Sequence, residues 1–410
     1  MNRGETKVSV EKLFEPLTLR NGVTIKNRLY KGAMSEGMAD KAHRPTQELI
    51  NVYKSWEDGG IGVSITGNVM IDRRHLGEPG NVVIEDERDM GILKRWAEAG
   101  KNNGGHIWMQ INHPGKQSPK SVSKQPIAPS AIPISGSAGS AFNRPREMTV
   151  SEIQEAAARF VTTATVAKKA GFTGVQIHGA HGYLVSQFLS SRDNKRDDAY
   201  GGSLEKRMQF LIDIYTGMRR ALGEEFPISL KINSTDFSGG GFSFEDSIAV
   251  IKKMDALGID HIEISGGDYE KPEMMGEGEV YFLDYAESIS SEVDIPIAVI
   301  GGFHKKDSMI HAITHTEVSM IGLARALVLN PQLPNQLKTN TYRDTKLPRL
   351  TTKIKALDKM FGGMIGISYY EQQIRRLGRH KSPKVHRNAW SPLFELAKVH
   401  GPYALTKRRG

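Results

Sequence analysis

Short apolar segments recur along the chain and are separated by longer stretches in which apolar residues return at a helical period. Eight of these segments are five to nine residues long, and most have apolar residues on both faces. Such runs are too short for buried helices and are typical of strands covered on both faces of a parallel sheet. The eight predicted strands are Arg28–Met34, Ile61–Val69, His106–Asn112, Gly174–His178, Ile228–Asn233, His261–Ser265, Ile297–Gly301 and Val318–Gly322.

Amphipathic helices are predicted between these strands. The clearest, Glu152–Ala170, starts at Thr149-x-x-Glu152, which is the spacing of a capping box. The others are Leu204–Leu222, Phe244–Leu257, Phe282–Ser290 and Lys306–Ile313. Eight strand–helix units predict an α/β fold in which the sheet closes into a (β/α)8 TIM barrel, and an open doubly wound sheet is the alternative.

Two segments interrupt this rhythm. Within residues 11–27, short alternating runs flank Asn21-Gly22 and predict an N-terminal hairpin with a type I′ turn. Residues 113–147 follow the third strand and contain six prolines with many serines and glycines. Loops of this length inside a domain are usually lids or binding loops. In a barrel this loop would overhang the carboxyl end of the strands, where active sites lie.

Positive charge is concentrated at the carboxyl end of the chain. Residues 341–410 contain 16 Lys and Arg against 4 Asp and Glu, whereas the whole chain has a net charge of +9. We therefore divide the chain into a barrel domain, 1–340, and a basic C-terminal extension, 341–410. The extension also contains several aromatic residues, so we expect it to pack on the barrel or on a neighbouring subunit rather than to bind nucleic acid or an anionic membrane. We also expect a homo-oligomer.

Cysteine is absent, which excludes disulfides, thiolate nucleophiles and cysteine-held zinc or iron–sulfur centres. The first residues are charged and contain no apolar signal-peptide core, and no run of 18 uncharged apolar residues occurs. These features predict a cytoplasmic enzyme that acts on a small molecule.

The densest set of reactive side chains is His178-Gly-Ala-His181-Gly-Tyr183, which begins where the fourth predicted strand ends. The glycines permit the tight turn that would bring both imidazoles and the phenol together. Two imidazoles can bind a metal, donate two hydrogen bonds to one oxygen, or serve only the structure. No thiolate or carboxylate stands beside them, and we therefore expect no metal site.

Small residues close the seventh and eighth predicted strands at Gly301-Gly302 and Ala324-Arg325. Many barrels bind a phosphate at this place through backbone N–H groups, and Arg325 would add a charge-assisted hydrogen bond. A further charged stretch, Arg196–Arg207, surrounds a Gly-Gly turn and is interpreted as ion pairs that fix a loop. A phosphate site, two imidazoles and a phenol on one rim indicate a phosphorylated cofactor beside a carbonyl substrate.

These motifs together resemble those of the Old Yellow Enzyme family of flavin oxidoreductases, over about residues 10–335. The resemblance is carried by Lys26-Asn27-Arg28, Gly59-Gly60-x-Gly62, Gln110, the histidine–tyrosine run, Tyr200-Gly-Gly-Ser-x-Glu-x-Arg207, Gly301-Gly302 and Ala324-Arg325. Family members are FMN-binding barrels that take hydride from NADPH or NADH and pass it to an activated alkene. The resemblance therefore implies an FMN-dependent ene-reductase.

The resemblance also implies a role for each residue of the histidine–tyrosine run. His178 and His181 would hydrogen-bond the electron-withdrawing oxygen of an enone, an enal or a similar alkene. Tyr183 would protonate the α-carbon as general acid after hydride reaches the β-carbon. The chemistry agrees, because two fixed donors stabilise the enolate-like oxygen, and a phenol with a pKa near ~10 can protonate a basic carbon.

Ten further positions match the family's cofactor site. Lys231 would lie beside flavin N1 and the C2 carbonyl, and Gln110 would pair with the pyrimidine edge. The remaining positions are Ala33, Met34 and Ser35 along the ring, Gly67 where bulk would strike the ring, and Gly301, Gly302, Ala324 and Arg325 at the phosphate. The chain departs from its relatives in two places: Ala33-Met34 replaces the common Pro-Met, and Ser35 replaces Thr or Cys.

Other classes of protein fit less well. Dihydrouridine synthases are FMN barrels with basic RNA-binding extensions, but their proton donor is a cysteine, which this chain lacks. A metal-dependent barrel hydrolase with His178 and His181 as ligands is the alternative from another chemistry class. The physiological alkene, the preference for NADH or NADPH, the oligomeric state and the role of the extension are left open. We expect the loop 113–147 and loops near Tyr269 and Tyr281 to set the substrate pocket.

Overall fold

The strands form a barrel and three short additions to it. The structure is a computed structural model that describes residues 10–237, 240–266 and 282–400, without the side chains of residues 137, 138 and 400. Tyr269 and Tyr281 lie outside the described residues. The strands are β1 (Leu17–Thr18), β2 (Thr24–Ile25), β3 (Leu29–Lys31), β4 (Val63–Ile65), β5 (Val69–Met70), β6 (Val82–Val83), β7 (His106–Asn112), β8 (Ile127–Ala128), β9 (Arg146–Glu147), β10 (Gly174–Gly179), β11 (Ile228–Asn233), β12 (His261–Ser265), β13 (Ile297–Ile300) and β14 (Met320–Leu323).

Eight of these strands, β3, β4, β7 and β10 to β14, pair in parallel in that order. The ring closes because β14 also pairs with β3, with Ile321 opposite Leu29. The predicted TIM barrel is therefore confirmed, and the open sheet is wrong. The short strand β5 adds to the carboxyl end of β7, and β6 pairs with β5.

Thirteen α-helices lie among the described residues. They are α1 (Gln47–Asp58), α2 (Met90–Ala99), α3 (Val150–Ala170), α4 (Leu184–Leu189), α5 (Leu204–Arg207), α6 (Gln209–Leu222), α7 (Phe244–Ala256), α8 (Leu283–Ser290), α9 (Lys306–His315), α10 (Arg325–Leu329), α11 (Leu333–Lys338), α12 (Lys355–Gly378) and α13 (Trp390–His400). No helix in this part of the chain has both the length and the apolar character needed to span a membrane.

Local sequence signals explain both ends of α3. The capping box predicted at Thr149 and Glu152 is present, and α3 ends at Gly171 in the left-handed region, with φ 92°. The predicted helix 204–222 is instead two helices that meet at Met208. Arg207, the last residue of the first helix, donates a hydrogen bond to the Leu189 carbonyl and pairs with Asp246. These contacts fix the position of the first helix.

The predicted hairpin is present, but its type I′ turn is wrong. Leu17 and Thr18 pair with Ile25 and Thr24. The Leu19 N–H also donates to the Val23 carbonyl at 2.9 Å, which leaves a three-residue loop, 20–22, in which Gly22 has a φ of 83° and Asn21 does not have a positive φ. The Asn21 side chain instead accepts a hydrogen bond from the backbone N–H of Val23. A three-residue loop with one left-handed glycine is the next most common hairpin connection.

The described part of the C-terminal extension packs against the barrel. Helix α12 buries Ile374 and Leu377 in the main hydrophobic core, whereas Phe361 and Ile365 pack with Ala389 and Leu396 of the extension itself. It lies along α1, where the Asn51 amide donates a 2.9 Å hydrogen bond to the Gly378 carbonyl. The aromatic and aliphatic residues of the extension therefore serve a packed interface within the chain.

Candidate active site

A cleft of about 250 Å³ opens at the carboxyl ends of the barrel strands. Every predicted site residue except Gly67 lines it. The lining thus joins His178, His181, Tyr183, Ala33, Met34, Ser35, Gln110, Lys231, Gly301, Gly302, Ala324 and Arg325 in one place.

His178 is a neutral hydrogen-bond donor by its surroundings. It is 2% exposed on β10, and its Nδ1 accepts a hydrogen bond from the Ala180 N–H at 3.3 Å. Burial, helped by the charge of Lys231, lowers the pKa of His178 well below its usual range. Because Nδ1 accepts, the proton of the neutral ring is on Nε2, which is then a donor.

His181 is held by the two strands that follow. Its backbone is left-handed, with a φ of 59°, and its N–H donates to Asn233 Oδ1 at the end of β11. Its Nε2 lies 2.8 Å from the Ser265 hydroxyl at the end of β12. Its ring meets that of His178 edge to face, with 5.1 Å between the ring centres. When the Ser265 hydroxyl donates to Nε2, the proton of a neutral His181 ring is on Nδ1.

Tyr183 completes the group and is covered by the loop 113–147. Its ring lies 4.8 Å from that of His178, and the Asn68 amide donates to its hydroxyl oxygen at 3.4 Å. Ile134 and Phe142 of the loop pack against Tyr183, which is only 5% exposed. The loop is thus a structured cover of the histidine–tyrosine turn.

A chain of buried polar side chains forms the floor of the cleft. Gln110 donates to Gln176 at 2.6 Å, and Gln176 donates to Glu263 Oε2 at 3.0 Å. The Lys231 ammonium lies 2.9 Å from Glu263 Oε1, with both side chains at most 3% exposed. Lys231 therefore lines the cleft but is paired with a buried carboxylate, because the register places it opposite Glu263.

A buried lysine, Lys31, fixes the segment that follows β3. The Lys31 ammonium contacts Glu36 Oε1 at 3.0 Å and the Ile65 carbonyl at 2.8 Å, and it faces the Trp56 ring. This network fixes the segment that carries Ala33, Met34 and Ser35. Gly67 lies outside the cleft: a Cβ on it would come within 2.7 Å of the Met34 carbonyl and 2.8 Å of Glu36 Oε2. Position 67 therefore requires a small residue because a side chain there would strike the segment that follows β3.

The corner formed by β13 and β14 has the features of an anion site. Gly301 and Gly302 have φ angles of 128° and 81°, which residues with a Cβ rarely adopt. The half-buried Arg325 guanidinium lines the cleft and makes neither a hydrogen bond nor an ion pair with the described residues. An unpaired guanidinium beside a glycine pair fits the phosphate end of a flavin mononucleotide.

Sequence reasoning missed several lining residues. Asn68 and Ser265 end or follow barrel strands, so their position at the carboxyl rim was the available signal. Glu78, Leu347, Gly366, Ile367 and Tyr370 also line the cleft, and the last four belong to the extension. Within the described chain, no group of three or more His, Asp or Glu side chains is arranged to hold a metal ion.

The predicted ion pairs around the Gly-Gly turn are present. Arg196, whose side chain is only 6% exposed, pairs with Asp198 at 2.5 Å and with Glu147 at 3.3 Å. The Tyr200 hydroxyl donates to Asp213. These contacts fix the loop below the rim, and none of these residues lines the cleft.

Comparisons with known proteins agree on one family. The model of the NADH:flavin oxidoreductase / NADH oxidase family matches residues 12–344. The NADH-dependent flavin oxidoreductase iliE of Hypocrea jecorina is 36% identical, over 83% of this chain and 92% of that protein. A 2-naphthoyl-CoA reductase structure superposes with a TM-score of 0.75 at 26% identity, over 81% of this chain and 52% of that one.

A structure of the Old Yellow Enzyme homologue from Zymomonas mobilis has the same fold, with a TM-score of 0.71, 24% identity, and coverage of 82% of this chain and 94% of that one. The family match spans most of the chain and the whole barrel. The protein therefore belongs to the NADH:flavin oxidoreductase family, also called the Old Yellow Enzyme family, and is an NAD(P)H-dependent flavin oxidoreductase.

Proposed function

We propose that the protein binds FMN and, with NADH or NADPH as reductant, reduces the C=C bond of activated alkenes such as enones and enals. The observation that carries this proposal is the grouping of His178, His181 and Tyr183 in the cleft that also contains Lys231 and the unpaired Arg325. When bound, FMN supplies the redox chemistry, taking hydride from the reduced nicotinamide and passing it to the alkene.

The chain's own residues would bind and hold this cofactor. Arg325, Gly301, Gly302 and Ala324 would receive the phosphate. Gln110 and Lys231 would face the polar edge of the ring, and Ala33, Met34 and Ser35 would line it. Glu263 fixes the position of Lys231 and balances its positive charge. We therefore expect Lys231 to change the flavin potential less than an unpaired lysine would.

The two imidazoles would hold the carbonyl oxygen of the substrate. His178 donates through Nε2–H, and His181 donates through Nδ1–H when the Ser265 hydroxyl donates to its Nε2. Fixed neutral donors gain strength as negative charge develops on that oxygen. Replacing Ser265 by Ala should therefore weaken binding of a substrate carbonyl without changing flavin reduction.

Tyr183 would deliver the proton to the α-carbon from its Oη. The Asn68 amide donates to the same oxygen and would stabilise the phenolate that remains after transfer. Loss of a general acid typically costs about 10²- to 10⁴-fold in rate. The Tyr183→Phe variant should thus reduce its flavin at the normal rate but transfer hydride to 2-cyclohexenone more slowly by that factor.

Stopped-flow absorption of the two half-reactions tests this assignment. Anaerobic bleaching near 450 nm by NADH or NADPH follows flavin reduction, and recovery with the alkene follows its reoxidation. Tyr215→Phe removes a phenol that contacts the Leu257 carbonyl away from the cleft and is the matched control. Equal slowing of both half-reactions in Tyr183→Phe would contradict the acid role.

The other assignments are proposals with simple tests. We propose a homo-oligomer that does not bind nucleic acid. Light scattering tests the first part, and salt-dependent RNA binding that depends on residues 341–410 would contradict the second.

A further inference from the structure

We propose that helix α12 of the C-terminal extension forms a wall of the active-site cleft of its own chain, and that Gly366 sets the size of the molecule that this cleft admits. The inference deepens the proposed function and rests on it only for the identity of the bound molecules. It gives the extension a role that its composition alone does not suggest.

The first support is the position of one face of α12. Gly366, Ile367 and Tyr370 line the cleft together with Arg325, His178 and Tyr183. Residues four positions apart lie one above the other on a helix, so Gly366 and Tyr370 form one stripe. Burial raises the pKa of Tyr370 to about 12, so the stripe carries no charge at neutral pH.

The second support is a short contact that ties α12 to the first barrel strand. Glu371 Oε1 lies 2.6 Å from the Ser35 hydroxyl oxygen, and Glu78 Oε1 lies at the same distance from it. A hydroxyl has one proton and can donate it to only one of the two carboxyl groups. Whichever carboxyl group accepts that proton, the Ser35 hydroxyl lies between Glu78 and Glu371 and brings α12 to the segment that follows β3.

The third support is the free space at Gly366. An added Cβ on Gly366 would meet no heavy atom within 4 Å, although the residue lines the cleft. Gly362, one turn earlier on the same helix, also has open space, but it is exposed and does not line the cleft. A side chain at position 366 would thus enter the cleft, whereas the same side chain at 362 would enter solvent.

These two glycines provide a matched pair of variants. Gly366→Leu and Gly362→Leu each remove a glycine from the interior of one helix, so both should preserve folding. We expect Gly366→Leu alone to raise the Kd of FMN, or the KM of a bulky polycyclic enone, by at least about tenfold. Equal values in both variants, whether unchanged or equally impaired, would overturn the proposal.

A second measurement does not depend on enzymatic activity. Because the chain contains no cysteine, Gly366→Cys and Gly362→Cys each introduce a single thiol. In protein without FMN, the labelling rate of a bulky maleimide is divided by that of a small maleimide at each position. This ratio should be lower at position 366 than at position 362. In protein loaded with FMN and a bulky enone, labelling at 366 should slow further.

The two proposals fail in different ways. Absence of FMN binding by the unmodified protein would contradict the proposed function. The size dependence of labelling in the cofactor-free protein would still decide whether α12 forms the wall. Equal size dependence at positions 366 and 362 would overturn the wall, whatever the cofactor result.

Discussion

The stability of the barrel in acid should depend on His261, which lies inside the barrel below the cleft. Its ring packs edge to face against Trp108, its Nδ1 lies 2.8 Å from the Ser229 hydroxyl, and it is 1% exposed. Burial lowers its pKa from 6.5 to about 3. Below pH 6.5 the unfolded chain therefore binds a proton at this residue, whereas the folded chain does not until about pH 3.

The size of this effect follows from the pKa difference. Above pH 6.5 both states hold a neutral ring, and His261 contributes no pH dependence. Below it, the contribution to the free energy of unfolding falls by about 1.4 kcal/mol per pH unit, or about 3 kcal/mol between pH 6.5 and pH 4.5. Replacing His261 by Gln removes this loss, although the lost packing should make the variant less stable than the wild type at pH 7.5.

Urea unfolding followed by circular dichroism at pH 7.5, 6.5, 5.5 and 4.5 measures the difference between the two proteins. We expect the stability deficit of His261→Gln to shrink by about 3 kcal/mol over this range. His311→Gln, at an exposed position on α9, controls for the loss of one histidine. A deficit that stays constant from pH 7.5 to pH 4.5 would refute the reasoning.

Three further predictions concern the cleft and its supports. Glu36→Gln leaves the ammonium of Lys31 buried without its counter-ion and should lower the free energy of unfolding by about 3–5 kcal/mol, as measured in urea. Gly67→Ala should lower the Tm and weaken FMN binding because its Cβ would displace the Met34 segment, whereas Gly91→Ala, in open space on α2, should do neither. Because burial keeps His178 neutral, the KM of a neutral enone should be flat from pH 6 to pH 8, and an inflection near pH 6.5 that disappears in His178→Asn would contradict this.

The strands and the active-site group are the parts that the sequence predicts best. His106–Asn112, Ile228–Asn233 and His261–Ser265 have the same limits in the structure as in the prediction, because apolar residues recur at alternate positions in each of them, which is the period of a strand. Arg28–Met34 shortens to Leu29–Lys31, since only these residues pair with neighbouring strands. Residue patterns and the family resemblance together identified twelve residues of the cleft.

The sequence does not predict contacts that depend on distant packing. Neither the α12 wall nor the carboxyl pair at Ser35 leaves a local pattern, because Glu371 meets Ser35 across 336 positions of chain. The neutralisation of Lys231 by Glu263 depends likewise on the register between β11 and β12. Such contacts are set by how the barrel closes and where the extension docks, and periodicity carries no information about either.

The electrostatics of the cleft suit a substrate that is neutral when it binds. His178 stays uncharged, and the charge of Lys231 is balanced by Glu263 at 2.9 Å. A charged imidazolium would bind carboxylates and phosphates strongly before any reaction, which adds ground-state affinity without lowering the barrier. Neutral donors bind a carbonyl oxygen weakly and strengthen only as it becomes negative during hydride transfer. Arg325 makes no ion pair with the described residues, and its separate corner would bind the permanent charge of a phosphate away from the reacting atoms.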